Sequence, residues 1–139
     1  MLDLVTDRTE ADVAAWKAGG TDTKGEYKYT DLNRVGAALH TLSEALADCG
    51  IDAPVTARTD WERASIYTLP DLNAYLDDVR RIREALDMSP ETPAVPETAR
   101  KLTWDKANDI EQILLDVENT ISRLKLSWFY SGEIYCGEV

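Results

Sequence analysis

The sequence predicts a mainly all-α fold: a bundle of three long helices, a short N-terminal helix before them, and a short C-terminal β-strand or hairpin. Three observations predict it. Three stretches repeat apolar residues at steps of three and four, the spacing of one helix face. Each follows a Thr, whose hydroxyl can accept from the free amides of a first turn. The last residues alternate polar and apolar, as a strand does.

The first short helix is capped by Thr6 or Thr9 and runs through Val13 and Trp16 to Lys17, where Gly19-Gly20 stops it. Thr21 to Lys28 reads as a polar loop. Thr30 caps the second helix, whose stripe is Leu32, Val35, Gly36, Leu39, Leu42, Ala45 and Leu46, with Gly50 as its stop. Gly36, Ala37 and Ala38 form a slim patch that suits a closely packed neighbouring helix. Ile51 to Arg58 is a connection, extended at Val55 and Thr56, and Thr59-Asp60-Trp61-Glu62 reads as a helical turn or the start of a small helix.

Thr68 or Leu69 caps the third helix, with Pro70 in a first turn that does not need its missing amide. Its stripe is Leu72, Tyr75, Leu76, Val79, Ile82 and Leu86, and Asp77 and Asp78 precede Arg80, Arg81 and Arg83 as local ion pairs. Residues 88–102 hold Pro90, Pro93 and Pro96 and read as an extended linker. It either runs the length of the bundle to join two parallel helices or lies across the surface.

The chain is organised around its last helix, from about Trp104 to Trp128, with Thr103 as cap and Asp105 in the first turn. Its stripe is Trp104, Ala107, Ile110, Ile113, Leu114, Val117, Ile121, Leu124 and Trp128. At 1.5 Å per residue it is about 37 Å long. Asp109, Glu111 and Asp116 mostly fall outside that stripe, and nothing in the pattern marks them as buried. Beyond it, residues 129–139 form a tail in which Ser131-Gly132 turns the chain and Glu133 to Val139 alternates. So short a strand is not stable alone; it folds back on the bundle or pairs with another chain. Trp128, Phe129, Tyr130, Ile134, Tyr135 and Val139 are the candidate interaction residues, because aromatic side chains are costly to leave in water.

The starts of the three long helices echo one another, as Asp31-Leu32-Asn33-x-Val35, Asp71-Leu72-Asn73-x-Tyr75 and Asp109-Ile110-Glu111-x-Ile113. The general preference of helix starts for an acid followed by apolar positions accounts for this without a repeat.

The 139 residues read as one domain. Twenty-six acids against fifteen bases give a net charge of -11, which repels nucleic acid and anionic membrane surfaces. No apolar run reaches membrane-spanning length, so no membrane insertion is expected, and Met1-Leu2-Asp3-Leu4 lacks signal-peptide character, so synthesis in the cytoplasm is expected. Cys49 and Cys136 have no ligand spacing and read as reduced thiols.

The motifs of catalysis are not present in the pattern. His40, the one histidine, is four residues before Glu44 and reads as its surface partner, short of the three ligands zinc usually takes. Asp77 and Asp78 diverge by about 100° on a helix. No nucleophile motif or phosphate loop occurs. The reading is of a non-enzyme with no catalytic, metal or cofactor-binding residues and no cofactor. Asn33 and Arg34, beside a core stripe, read as structural hydrogen bonders.

Three stretches carry a resemblance: Tyr27-Lys28-Tyr29-Thr30-Asp31-Leu32-Asn33-Arg34-Val35, Ala107-Asn108-Asp109-Ile110-Glu111-Gln112-Ile113-Leu114-Leu115, and Trp128-Phe129-Tyr130-Ser131-Gly132-Glu133-Ile134-Tyr135-Cys136-Gly137-Glu138-Val139. With Thr6-Asp7-Arg8-Thr9 and Pro93-Ala94-Val95-Pro96, they cover most of the chain. The chain resembles a family of small uncharacterised proteins encoded in phage and prophage tail-gene clusters of Gram-positive bacteria (Firmicutes). The resemblance implies a virion structural role: a tail or baseplate component whose partners are other tail and baseplate proteins, with a homo-oligomer of its own copies as a further option, made in the bacterial host and associated with the particle after assembly. Two other readings belong to different classes. One is a glycan-binding module using Trp61 and Tyr67. The other is a regulatory interaction module whose acidic surface mimics nucleic acid.

Overall fold

The computed structural model describes residues 2, 4–19, 29–62, 68–86, 88–97 and 103–131, with the backbone alone at 128–131. Four helices form among them: α1 (Glu10–Lys17), α2 (Tyr29–Asp48), α3 (Leu69–Glu84) and α4 (Trp104–Ser131). No strand occurs among the described residues. The expected C-terminal strand, at 132–139, lies outside them. The backbone of Trp128 to Ser131 continues α4, so the helix does not change character at the aromatic cluster.

Local chemistry sets the ends. Thr9 caps α1 and Thr68 caps α3, each in a reciprocal box with the acid three residues on, Asp12 and Asp71. At α4 the Thr103 hydroxyl instead donates to the Asp105 carboxylate. α2 ends where Gly50 takes φ of +79°, letting the Gly50 amide reach the Ala47 carbonyl and the Ile51 amide reach that of Leu46.

Each consecutive pair of long helices is joined through an extended strip that runs back along the helix just completed. Residues 51–62 retrace α2: Ser43 donates to the Ala53 carbonyl, the His40 ring meets that of Ala57, and Asn33 meets Trp61. The same strip borders α3, where Asp78 accepts from the Thr56 amide and Arg81 donates to the Pro54 carbonyl. Its residues alternate, with Ile51, Ala53, Val55 and Ala57 turned toward the core and Asp52, Pro54, Thr56 and Arg58 exposed. Thr59 to Glu62 continues it as irregular chain, not as the helical turn expected. Residues 88–97 retrace α3, held by Arg83 on the carbonyls of Thr92 and Pro93 and by Arg80 on those of Pro96 and Glu97. Two retraced connections make α2, α3 and α4 parallel. The proline stretch therefore joins parallel helices, and Arg83, expected in a local ion pair, serves it instead.

The third groove, between α4 and α2, is filled by the N-terminal segment. Leu2, Val5 and Arg8 meet Glu118, Glu111 and Asn108, so this segment also runs opposite to its helix. Three parallel helices and three antiparallel strips thus alternate around one core. Leu39, Leu42, Leu46, Leu76, Val79, Ile82, Ile110, Ile113, Leu114 and Val117 are almost wholly buried in it.

The echo is a true structural repeat, in a register different from that of the sequence pattern. Asn33 brackets the backbone of Trp61, its Nδ2 donating to the carbonyl at 2.8 Å and its Oδ1 accepting from the amide at 2.8 Å. Asn108 brackets Arg8 in the same way, at 2.9 and 3.0 Å. Asn33 and Asn108 are therefore equivalent positions, and Asn73 aligns with Asn33 by the shared Asp-Leu-Asn sequence at the starts of α2 and α3. Val35, Tyr75 and Ile110 then follow as equivalents, as do Leu39, Val79 and Leu114. The third copy begins at Ala107-Asn108, three residues before the start that the sequence pattern suggested.

The slim patch on α2 also has an unexpected neighbour. A Cβ on Gly36 would lie 2.7 Å from the Arg58 carbonyl oxygen, so the close approach is made by the strip and not by a helix.

Candidate functional site

Two polar sites and one helix end stand out. The first is a buried ion network at the starts of α2 and α4. Glu111, fully buried, accepts from Arg8 Nη2 at 2.6 Å, from Arg34 Nε at 2.7 Å and from the Val5 amide at 3.0 Å. Asp31 accepts from Arg34 at 2.6 Å and faces Arg8 at 3.5 Å. Burial works against the Arg34 charge, but its hydrogen bonds to Glu111 and Asp31 outweigh that and raise its pKa further above the ordinary range. Glu111 is thus in the core, contrary to its reading as an unburied acid, and Arg34 has the structural role its place beside the stripe suggested. Both oxygens of Glu111 are occupied by arginines, so the group works as a clamp on the N-terminal strip.

The second site is a half-open pocket of about 250 Å³ between the first strip and α3, lined in part by Trp61, Arg58, Tyr75 and Asp78. Arg58 lies 4.4 Å above the Trp61 ring and also binds Asp60, whose carboxyl it holds below the ordinary range. Asp78 is buried and bonded to Thr56 and Arg81. Tyr67, the second residue expected for glycan binding, lies outside the described residues. His40 meets the Ala57 carbonyl at 2.6 Å, so its partner is the strip and not Glu44. Cys49 is half-buried just past α2, and Cys136 lies outside the described residues. Among the described residues no group of three or more His, Cys, Asp and Glu side chains is placed to hold a metal ion, and no helix is long and apolar enough to cross a membrane.

The third feature is the end of α4. By the register of the three asparagines, the end of α2 at Asp48 is level with Arg123, and the end of α3 at Glu84 with Asn119. Residues 124–131 outrun α2 by about 12 Å, and α4 outruns α3 by about 18 Å. Ile121 is the last buried residue of α4 among residues 104–127; Leu124 is half-buried and Leu126 is 55% exposed. Ile110, Leu114, Val117, Ile121, Leu124 and Trp128 recur at steps of four and three, so the core seam continues by spacing into this overhang. No acid occurs from Asn119 to Ser131, while Arg123 and Lys125 are basic, against a chain that is acidic as a whole.

Of the candidate interaction residues, Trp128, Phe129 and Tyr130 share the end of this helix. Ile134, Tyr135 and Val139 lie outside the described residues. Arg8 escaped the sequence reading altogether. The signal for its partner was there: Glu111 sits four residues after Ala107 and three before Leu114, inside the apolar stripe.

Compared with protein-family models, curated proteins and solved structures, the chain matches none.

Proposed function

We propose that the chain is a non-enzymatic structural or adaptor component of a phage tail or baseplate, or of a prophage-derived particle, and that it joins its neighbours through the C-terminal end of α4 and the aromatic segment there. The observation that carries this reading is the overhang. The seam continues by spacing through half-buried Leu124 to Trp128, and Leu126, on the opposite face of the same overhang, is exposed, so the overhang has apolar surface that association would bury. Three aromatic residues follow within the same helix, and aromatic anchors supply much of an interface's energy. The resemblance of the chain to tail-cluster proteins supplies the setting.

Light scattering on a sizing column tests it, using the full chain, Leu126→Asp and Trp128→Ala, alone and mixed with the products of adjacent genes. The expected result is an oligomer or mixed complex that both variants lose while keeping their helical circular dichroism. Association unchanged in both variants would overturn the reading.

The pocket beside Trp61 favours a second reading, a glycan-binding module. Because Arg58 stacks on that ring, a sugar would have to displace it, and Trp61 fluorescence would shift. Fluorescence constant across a panel of wall polysaccharides rules this reading out.

A further inference from the structure

The three strips are seated alike but anchored differently. The strips at 51–62 and 88–97 each connect two long helices. The N-terminal strip connects to α2 through the 20 residues 9–28, which include α1, and α1 has no buried residue. Trp16 on α1 is 41% exposed. Within residues 2–19, the contacts to the bundle are made by the strip: the Leu2 amide on Glu118, the Val5 amide on Glu111, the Arg8 amide and carbonyl on Asn108, and the Arg8 guanidinium on Glu111. Leu2 and Leu4 pack partly against the core.

The groove under the strip has a defined chemistry. Asp31, Glu111 and Glu118 line it with Arg34 as the counter-charge, so three carboxylates face one guanidinium when Arg8 is absent. Asn108 brackets one residue's amide and carbonyl. The groove selects an extended segment with apolar residues near its start and an arginine near its end, which is what residues 2–8 supply.

We propose that this groove accepts residues 2–8 of a second copy of the chain in place of its own, so that copies can be joined by exchanged N-terminal strips. Lifting the strip leaves Asp31 and Glu111 with Arg34 and so does not strip the network of cations. Twenty residues of chain span at most about 65 Å, longer than the ~30 Å of α2. Exchange replaces each contact with an identical one, which is why swapping is a low-cost route between monomer and assembly. The exchange involves neither the α4 overhang nor the aromatic segment, and it stands or falls apart from them.

The test uses the full chain and a fluorescent peptide with the sequence of residues 1–9, read by anisotropy. In the wild-type chain the peptide competes with a tethered strip whose effective concentration is on the order of millimolar. Arg8→Ala in the chain loosens that strip and is expected to tighten peptide binding at least tenfold. The same change in the peptide is expected to abolish binding. A purely structural Arg8 would not produce these opposite effects. If the Arg8→Ala chain loses its helical signal, Leu4→Ser, which leaves the ion network intact, takes its place. Mixed dimers between isotopically light and heavy full chains, seen by native mass spectrometry after co-incubation at high concentration, are the second expected result. Failure of the peptide to bind any folded variant, equal binding of the Arg8→Ala peptide, or absence of mixed dimers overturns the proposal.

Discussion

Glu111→Ala is the sharpest test of how the bundle is held. In the wild-type protein one fully buried carboxylate receives Arg8 at 2.6 Å, Arg34 at 2.7 and 3.0 Å, and the Val5 amide at 3.0 Å. Its removal leaves two guanidiniums to share Asp31, which faces them at 3.5 and 2.6 Å. Removing one partner of a buried ion pair costs about 3–5 kcal/mol, because the other charge stays buried. The orphaned Val5 amide adds about 1 kcal/mol. A loss of about 4–6 kcal/mol approaches the whole stability of many small domains. At roughly 3–4 °C per kcal/mol for a domain of this size, Tm falls by about 12–24 °C. Thermal and urea unfolding followed by circular dichroism at 222 nm measure it. A double-mutant cycle with Arg8→Ala should show coupling above about 1 kcal/mol, since both residues serve one network. A loss below about 1 kcal/mol, or additive single effects, would refute the reasoning.

Other substitutions probe separate features. Gly36→Ala sets two effects against each other: alanine gains about 1 kcal/mol of helix propensity, while a Cβ 2.7 Å from the Arg58 carbonyl displaces the strip at about 1–3 kcal/mol. Net destabilisation in urea is expected; a more stable variant would show that the strip yields freely. Thr68→Ala removes the α3 cap and costs about 1 kcal/mol by the same assay. Its partner Asp71 has its carboxyl held low by the Thr68 amide and hydroxyl, so the stabilisation it brings is present above the ordinary carboxylate range and lost as pH falls through the lowered value. Asp71→Asn should therefore lower Tm at pH 7 and match wild type at strongly acid pH. Asp109 carries the opposite sign: burial, then repulsion from Asp105, pushes its carboxyl up, so its charge costs stability at neutral pH. Asp109→Asn should raise Tm at pH 7, with the gain vanishing below the ordinary carboxylate pKa of ~4.

The helices were legible because their signals are local. A capping Thr, a proline in a first turn and a four-three apolar spacing each involve neighbours within two turns, and α1, α3 and α4 begin where those signals place them. The strips were harder to read. Nothing local says that Thr59 to Glu62 is held straight, because what holds it is Asn33, 28 residues away. His40 was assigned to Glu44 because both share a helix, whereas its carbonyl partner belongs to the strip. Glu111 misled for a related reason: its partner Arg8 lies 103 residues away, so a buried acid looked like one more surface charge. The echo was visible but read as the general preference of helix starts, and its third register was hidden because α4 has an alanine where the other two helices have leucine before the asparagine. The overhang of α4 was legible as a long stripe only; that it outlasts its neighbours follows from lining up the three asparagines.

The seating of the N-terminal strip also dictates an order of events during synthesis. Its hydrogen bonds join residues 100 to 116 positions apart, from Arg8 with Asn108 to Leu2 with Glu118. Contacts so distant in sequence carry a high loop-closure cost and slow folding. While the chain is still on the ribosome, α2, the strip after it and α3 have partners within reach, but residues 2–8 have only the Arg8–Asp31 pair until α4 has emerged. Residues 2–8 are among the last to lock, and the bundle closes only when they meet α4.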